Sequence, residues 1–234
     1  MPKNSAYNRF EDILGTMGRR FDLPRVFDDF LSVTVCAFHQ TNLASQLQQK
    51  DEANETRYFE VINPYNRDEL NGFAEALALL KFSAQRDPYG DLLGRYYTEH
   101  ITQGHNGQYF TPEGVAGLIA GLSVDRDNPP TGKTIYDPAC GSGRLLLEFA
   151  RVAPNNAFYG NDLSITCAKM TALNMMFNGL VGEAAAMNTI TVSWHTGWAI
   201  NTPHIGIVPI DKEQSRIWTA PQEVPPKEKQ LVLF

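Results

Sequence analysis

The first half of the chain carries its apolar residues at helical spacing. After Asp22 and Pro24, which suit the start of a helix, a broad apolar face over residues 26–38 predicts a largely buried helix. Similar spacing predicts three more helices, at residues 66–86, 89–102 and 111–122. Residues 1–20 show no clear period and predict a loosely attached arm, and the polar residues 42–56 predict a loop.

The second half alternates between short β-branched or aromatic runs and helical runs. The predicted order is a strand from Thr134, a glycine-rich turn, a helix from Arg144, a strand at 157–163, a helix at 164–178, a strand at 189–195 and a short strand at 204–210. This alternation is typical of a parallel α/β sheet. So few strands leave an open sheet edge, which a second copy, a partner subunit or the chain's own tail is expected to cover.

Composition narrows the class of protein without identifying a function. The chain has 234 residues, of which 43% are apolar, and no apolar run approaches the length of a membrane span. The first ten residues are too polar for a secretory signal, so we expect a cytoplasmic protein without membrane contact. A net charge of −6 argues against coating nucleic acid by bulk electrostatics. The three dispersed cysteines predict reduced thiols and no metal site.

The glycine-rich turn is the first feature that indicates chemistry. Ligands of open α/β sheets bind at the carboxyl ends of the strands, where Gly141 and Gly143 would let a ligand approach the backbone and the following helix N-terminus. Asp162 ends the next predicted strand, and a carboxylate there can accept hydrogen bonds from both hydroxyls of a ribose. The turn lacks the third glycine of a dinucleotide fingerprint and no Gly-Lys-Ser/Thr follows it. A ligand that contains adenosine is therefore favoured over a dinucleotide or a P-loop triphosphate.

Two segments carry a resemblance to a known family. Residues 137–143 read Asp-Pro-Ala-Cys-Gly-Ser-Gly, and residues 108–112 upstream read Gln-Tyr-Phe-Thr-Pro. Together with Asp-Leu-Leu-Gly-Arg-Tyr-Tyr at 91–97, they resemble the S-adenosylmethionine-binding half of amino-group DNA methyltransferases. The likeness is greatest to modification subunits of type I restriction systems and their adenine-N6 relatives. It covers roughly residues 88–200.

The resemblance implies contacts with S-adenosylmethionine from three segments. The residues expected against its methionine end are Tyr109, Phe110, Thr111 and Pro112. The loop expected around its carboxylate and amino groups consists of Asp137, Ala139, Cys140, Gly141 and Gly143. Asp162 would hold the ribose, and Leu163 would pack near the adenine. Without the resemblance, Tyr109 and Phe110 also fit plain core packing.

The segment expected to hold the methyl acceptor is missing. Members of this family carry Asn/Asp-Pro-Pro-Tyr/Phe after the fourth strand, where it grips the amino group of a flipped base. Asn-Pro-Pro-Thr at 128–131 precedes the first strand and lacks the aromatic residue, and Asn-Pro-Tyr at 63–65 lacks one proline. Weak candidates near the expected place are Asn201, Pro203 and His204. The catalytic residues are otherwise unassigned.

Other polar residues of the chain do not define a second site. The family's acid at the end of the third strand, near the adenine, is replaced in this interpretation by His195, Thr196 and Trp198. Trp198 would either cover the adenine or, more simply, be a buried aromatic residue. None of the five histidines has a neighbouring nucleophile in a recognisable elbow.

The last five residues form a separate candidate interaction motif. Residues 212–229 are charged and proline-rich, which predicts an extended linker that ends in Gln-Leu-Val-Leu-Phe. This ending resembles the peptide by which bacterial replication and repair proteins dock on the sliding clamp. The residues that carry the likeness are Gln230, Leu231, Leu233 and Phe234. A terminal strand packed against the chain's own sheet is the alternative.

The sequence thus predicts an α/β protein of three parts. Residues 1–103 would form a helical region, residues 104–210 a truncated Rossmann-like S-adenosylmethionine-dependent methyltransferase sheet, and residues 211–234 a tail. The resemblance implies a DNA adenine-N6 methyltransferase-like protein, catalytically incomplete if nothing replaces the missing segment. The alternative is a non-catalytic, cofactor-binding accessory subunit of a DNA modification or replication-associated complex.

Overall fold

A computed structural model describes residues 5–40, 51–102, 110–202 and 206–219 of the chain. The N-terminal part is helical, as predicted. Its helices are α1 (Ser5–Met17), α2 (Leu23–Ala37), α3 (Glu52–Ile62), α4 (Arg67–Arg86) and α5 (Leu92–Tyr96), and the last continues into a π-helical turn (Tyr97–Thr102). α4 begins with a capping box, in which the Asn66 side chain accepts from the helix and Glu69 bonds back to the Asn66 backbone.

The predictions of a loose arm and of a loop are wrong for residues 5–17 and 52–56, which are helical, while residues 1–4 and 41–50 lie outside the described residues. α1 buries one face in the core, through Tyr7, Phe10, Ile13, Leu14 and Met17. These residues do recur at helical spacing, but polar residues between them dilute the signal. α3 begins where Asp51 caps it, since the Asp51 side chain accepts hydrogen bonds from the backbone N–H groups of Ala53 and Asn54.

A five-stranded mixed sheet forms the second part. The elements that follow α6 (Glu113–Ser123) are β1 (Thr134–Asp137), α7 (Arg144–Val152), β2 (Ala157–Asp162), α8 (Ile165–Phe177), β3 (Val181–Asn188), β4 (Ser193–Ile200) and β5 (Ile207–Ile210). The strand order is β1-β2-β3-β4-β5, with β1, β2 and β3 parallel and β4 and β5 antiparallel to their neighbours. The α/β class predicted from the sequence is confirmed, and the sheet differs from a purely parallel one in its last two strands.

The position of the third strand was mispredicted. Residues 189–192 form the turn between β3 and β4, and the third strand precedes them. β3 reads Val-Gly-Glu-Ala-Ala-Ala-Met-Asn and has only one β-branched residue, Val181, and no aromatic residue, although such residues usually indicate a strand. Its small side chains fit because the strand lies in the middle of the sheet, between β2 and β4. Packing therefore overrides local propensity at this strand.

The two faces of the sheet are covered differently. α7 and α8 pack against the face that joins the main core, which includes Phe158, Ala184 and Trp198. On the other face a smaller apolar cluster includes Tyr159 and Ile217. Ile217 belongs to α9 (Arg216–Thr219), which follows a 3₁₀ turn (Lys212–Gln214). The predicted linker is thus wrong for residues 212–219, and the rest of the tail lies outside the described residues.

The helical part and the sheet share one main core. A single apolar cluster includes residues from α1, α2, α4 and α5 together with residues from α7, α8 and the strands. Asp28 of α2 adds polar links to α8, because its carboxylate accepts from Thr166 Oγ1 at 2.8 Å and from Lys169 Nζ at 3.0 Å. Of the helices in the described ranges, none is both long enough and apolar enough to span a bilayer.

Candidate functional site

The glycine-rich loop between β1 and α7 is held at the carboxyl ends of β1 and β2. The backbone N–H of Cys140 donates to the Asn161 carbonyl at 3.0 Å, which links the loop to β2. The N–H of Gly141 donates to Asp162 Oδ2 at 2.9 Å, while Asp162 Oδ1 accepts from the Ser164 N–H at 2.9 Å. The carboxylate at the end of β2 therefore fixes both the loop and the start of α8.

Both glycines of the loop are required by backbone geometry and by close contacts. Gly141 and Gly143 have φ angles of +55° and +83°, a region that strongly favours glycine. A Cβ atom at position 141 would lie 3.1 Å from the ring of Phe110, and one at position 143 would lie 3.1 Å from the Thr171 side chain. The loop is therefore packed tightly on two sides, by the segment before α6 and by α8.

Two carboxylates give this end of the sheet a negative character. Asp137 is buried, and burial raises the pKa of its carboxyl above the usual value, as does the charge of Asp162, while the hydrogen bond from the Ala139 N–H partly offsets both. Within the described part of the chain, neither Asp137 nor Asp162 takes part in an ion pair. Their charges are thus available to a cationic group of a ligand.

A cavity of about 60 Å³ opens beside the loop. Its walls combine the segment before α6 with the loop and the start of α7, and are made by Phe110, Thr111, Asp137, Ala139, Cys140, Gly141, Ser142, Arg144 and Leu145. Pockets that enclose a whole small ligand occupy roughly 300–1,000 Å³. The described walls therefore enclose only one end of a ligand of nucleoside size. The rest of such a ligand would extend along the carboxyl ends of the strands.

Phe110 and Cys140 contribute to these walls in different ways. The ring of Phe110 stacks on Tyr97 with a centroid distance of 5.6 Å and lies against Gly141. The Cys140 side chain is buried, with Sγ 3.2 Å from Thr171 Oγ1. Burial raises the pKa of this thiol well above its usual value, so Cys140 is a packing residue and a poor nucleophile.

The structure brings most of the predicted cofactor residues together. Asp162 bonds to the loop, and Leu163 beside it exposes 65% of its surface at the same end of the sheet. α6 begins two residues later than predicted, at Glu113, and Pro112 is its N-cap residue without a side-chain cap. Tyr109 lies outside the described residues, as do the four tail residues, Gln230, Leu231, Leu233 and Phe234.

Comparison with known proteins decides the family. Residues 86–208, more than half of the chain, match the model of the family described as N-6 DNA Methylase. The chain belongs to the N-6 DNA methylase family. The match includes α5, the cavity walls, the glycine-rich loop and the strands from β1 to the first two residues of β5.

Individual relatives of this N-6 DNA methylase family member match only part of it. The MjaVIII type I restriction enzyme methylase subunit of Methanocaldococcus jannaschii is 34% identical over 98 residues, 38% of this chain and 16% of the relative. The HindI methylase subunit of Haemophilus influenzae is 31% identical over 103 residues, 38% of this chain and 22% of the relative. The matched segment thus spans about a fifth of the length of these relatives.

A solved structure is also similar to this N-6 DNA methylase family member. It is the type I restriction-modification system methyltransferase subunit from Streptococcus thermophilus, with 18% identity and a TM-score of 0.36. The match covers 75% of this chain and 56% of that one.

The structure contradicts the predicted replacement for the missing catalytic segment of the N-6 DNA methylase family. β4 runs antiparallel to β3, so Ile200 pairs with Gly182 at the start of β3, whereas Asp162 pairs with Ala186 near its end. Asn201 therefore lies at the opposite end of the sheet from the glycine-rich loop. Its side chain holds the β4–β5 turn, since Nδ2 donates to the Leu180 carbonyl at 3.0 Å and Oδ1 accepts from Gly206. Pro203 and His204 lie outside the described residues.

The residues predicted at the end of the third strand also have other positions. His195 is exposed on β4, Thr196 follows it, and Trp198 is buried in the main core opposite Ala184. The end of the third strand is instead occupied by Asn188. Its side chain accepts hydrogen bonds at 3.0 Å from the backbone N–H groups of Ile190 and Thr191, which closes the turn to β4.

Asp91, Ser142, Arg144 and Asn174 are site residues that the sequence interpretation missed. Ser142 and Arg144 belong to the loop and to α7, and they contact the buried carboxylate of Asp91. One sequence signal was present, because Asn174 is a polar residue within the apolar run Ala-Leu-Asn-Met-Met of α8. A buried amide in such a run requires partners, and it finds them in Asp91 and in the Ser142 carbonyl, both at 2.9 Å.

Proposed function

We propose that this N-6 DNA methylase family member binds S-adenosylmethionine at the glycine-rich loop and forms the cofactor half of a DNA adenine-N6 methyltransferase. The observation that carries the proposal is a cavity at the carboxyl ends of β1 and β2 that Asp137 and Gly141 line, with Asp162 accepting from the Gly141 N–H of its wall. Its position agrees with the general location of ligands in parallel α/β sheets. Family membership supplies the type of reaction.

The charges of the site fit the charges of this cofactor. S-adenosylmethionine carries a positive sulfonium and a positive ammonium group, and both are stabilised by nearby carboxylates. Asp137 is buried without an ion-pair partner among the described residues, and Asp162 raises its pKa further. A cationic ligand beside Asp137 would offset that repulsion. An anionic ligand such as a triphosphate would increase it.

The proposed contacts follow the predicted order along the site. We expect Phe110, Thr111 and Pro112, with Tyr109, at the methionine end, and the backbone of Ala139, Cys140, Gly141 and Gly143 around the amino acid moiety. Asp162 retains acceptor capacity for ribose hydroxyls, since each carboxylate oxygen can accept a second hydrogen bond. The exposed side chain of Leu163 is available to the adenine ring.

The chemistry expected of the whole enzyme needs little covalent participation by the protein. When bound, S-adenosylmethionine supplies an activated methyl group that an adenine amino nitrogen can attack directly. The residues of this chain orient the donor and surround its charge with Asp137 and Asp162. Within the described part of the chain, no asparagine followed by a proline lies beside the cavity. We therefore propose that the groups which hold the adenine come from elsewhere.

The free edge of β1 is the proposed place for those groups. β1 is the first strand of the sheet and pairs only with β2 within the described residues. A strand added there would stand directly beside Asp137 and the loop, and would provide the second wall of the ligand crevice. The proposed source is a partner subunit, a second copy, or chain outside the described residues. A monomeric mass that persists when residues 220–234 are deleted, with the fold intact, would count against a second copy and against the tail.

A methyl-transfer experiment tests the proposed activity. Purified protein is incubated with duplex DNA and S-adenosylmethionine labelled in its methyl group, alongside a Gly141→Arg variant whose side chain would collide with Phe110. Incorporation well above the variant supports a methyltransferase. Cofactor binding without incorporation shows that this chain does not transfer the methyl group alone. That result fits a cofactor half whose adenine-holding groups lie on another chain, and it fits the second candidate, a non-catalytic accessory subunit, which the missing acceptor segment favours. Absence of both binding and transfer in folded protein contradicts the proposal.

A separate proposal concerns the tail as a ligand of a bacterial sliding clamp. The support is the sequence Gln-Leu-Val-Leu-Phe alone. Binding of the full chain to a purified bacterial clamp should be saturable and should be lost when Leu233 and Phe234 are both replaced by alanine. Equal binding by the unchanged chain and the double variant would contradict it.

A further inference from the structure

Asp91 stands behind the cavity wall and joins the groups that form it. It is the N-cap residue of α5, its side chain is 2% exposed, and it does not line the cavity. Four donors converge on its two carboxylate oxygens, namely Gly94 N at 2.8 Å, Ser142 Oγ at 2.5 Å, Arg144 Nε at 2.9 Å and Asn174 Nδ2 at 2.9 Å. These donors belong to α5, the glycine-rich loop, α7 and α8.

Arg144 extends this network to the opposite wall of the cavity. Its Nε donates to Asp91, and its Nη1 donates to the Thr111 carbonyl at 2.8 Å. The guanidinium group thus holds the segment before α6 against the loop. Because the Arg144 side chain is only 10% exposed, its charge depends on Asp91 for compensation. Asn174 adds a parallel link, since its Nδ2 also donates to the Ser142 carbonyl.

α5 lies so close to the loop that there is no room for an added side-chain atom between them. A Cβ atom at Gly94 would lie 2.1 Å from Asp91 Oδ2 and 2.2 Å from Ser142 Oγ. Even a methyl group at position 94 would therefore force the loop and the helix apart. The helical region is in this way connected directly to the loop that would bind the ligand.

We propose that Asp91 is a positioning residue that sets the geometry of the cofactor site through Arg144. The inference deepens the proposed function and rests on it for the identity of the ligand. Asp91 holds the guanidinium of Arg144, and Arg144 holds Thr111 at the distance from Ser142 that the ligand requires. Ligand affinity therefore depends on a residue that does not touch the ligand.

A double-mutant cycle separates this role from general stability. The variants are Asp91→Asn, Arg144→Gln and the combination of both. An amide at position 91 keeps the shape of the side chain, but it cannot accept from all four donors and leaves the charge of Arg144 uncompensated. Glu183→Gln is the matched control, because Glu183 is also buried and accepts from Ser215 Oγ and the Ile217 N–H on the other face of the sheet.

Two measurements are made on each variant. The first is the Kd of S-adenosylmethionine by calorimetry. The second is amide hydrogen exchange of residues 110, 111, 113 and 141–144, which reports on the two walls without a ligand. We expect Asp91→Asn to weaken binding by at least about tenfold and to raise exchange in both segments. In the Arg144→Gln background the same change should alter the Kd by less than about twofold. Glu183→Gln should lower the melting temperature while leaving the Kd and both segments unchanged.

The contrary outcomes are equally distinct. Folded Asp91→Asn protein with the affinity and exchange of the unchanged chain overturns the proposal, as does an equal loss of affinity in Glu183→Gln. If Asp91→Asn does not fold, Ser142→Ala removes a single donor and should raise exchange and Kd in the same direction; no change in either overturns the proposal. If the unchanged chain binds no cofactor, the proposed function fails, and local exchange in residues 110, 111 and 113 still decides whether Asp91 positions the wall.

Discussion

Asp137 is the single residue whose environment says most about the site. Its carboxyl group is buried, burial raises its pKa, and the nearby charge of Asp162 raises it further. At neutral pH a protein gains no stability from such a group in the absence of a ligand, since the ionised form is the costly one. Residues that reduce stability in this way are concentrated at functional sites.

Asp137→Asn should stabilise the ligand-free protein at neutral pH by about 1 kcal/mol, the size typical of single stabilising changes. The folded-state pKa of Asp137 lies above its usual value of 3.8. Its contribution to stability is therefore fully present below pH 3.8 and is lost as the pH rises through the folded-state pKa. The stability difference between variant and unchanged protein should thus grow from pH 4 to pH 7. Urea unfolding at several pH values measures it, and a constant difference would contradict this assignment.

Gly141→Ala should destabilise the protein by about 1–2 kcal/mol, because an L-residue is strained in the left-handed region. The φ angle there is +55°, and the added Cβ would press on the ring of Phe110. Gly15→Ala is the control, since Gly15 lies within α1 and a Cβ there would meet nothing within 4 Å. That change should stabilise the helix by about 0.5–1 kcal/mol. Thermal unfolding compares the two, and equal shifts would count against the described loop.

Among the secondary-structure elements, those with strong local signals were predictable. The strand before Asp137, the glycine-rich turn, α7, β2 and α8 all carry such signals, and α8 has Ser164 as N-cap and Gly179 as its stop. β3 was not predictable, because its alanines become favourable only between two neighbouring strands. The position of Asn201 follows from the direction of β4, and the contacts of Asp91 follow from long-range packing. Neither could be predicted from a local sequence pattern.

α1 offers a test of the element that the sequence prediction treated as a loose arm. Phe10 is fully buried and contacts Phe30 and Tyr96 edge to face, with centroid distances of 5.5 Å and 5.2 Å. Phe10→Ala should lower the free energy of unfolding by about 3–5 kcal/mol. Phe59→Ala on α3 is the control, because Phe59 is 58% exposed, and it should cost less than about 0.5 kcal/mol. Denaturant unfolding measures the free energy of unfolding of both variants. A small effect of Phe10→Ala would contradict the packed helix and support a loosely attached arm.

For the molecule as a whole, the shared core predicts that the helical part and the sheet unfold together. One apolar cluster spans both, and Asp28 links α2 to Thr166 and Lys169 of α8. Circular dichroism of the backbone and fluorescence of the tryptophans, all of which lie in the second half of the chain, should give coincident transitions. Two separate transitions would show that the helical region is an independent unit.

In the proposed function, the molecule supplies the site of the methyl donor, and its described residues do not complete a site for the acceptor. The loop, its two carboxylates and the Asp91 network form one wall of a ligand crevice, and β1 presents a free edge where the other wall would stand. Cofactor binding, which this chain should perform alone, is therefore separable from methyl transfer, which should require the groups that hold the adenine. Cofactor binding is the more direct test.

That test is a calorimetric titration of the full chain and of Asp137→Asn with S-adenosylmethionine at neutral pH. Binding to a buried charged group is worth about 1.5–3 kcal/mol, so its loss corresponds to at least about a tenfold change in Kd. We predict saturable binding of one ligand per chain and at least about tenfold weaker binding to the Asp137→Asn variant, which remains folded. Absence of saturable binding to the folded full chain, or equal affinity for both proteins, would contradict the proposed cofactor site.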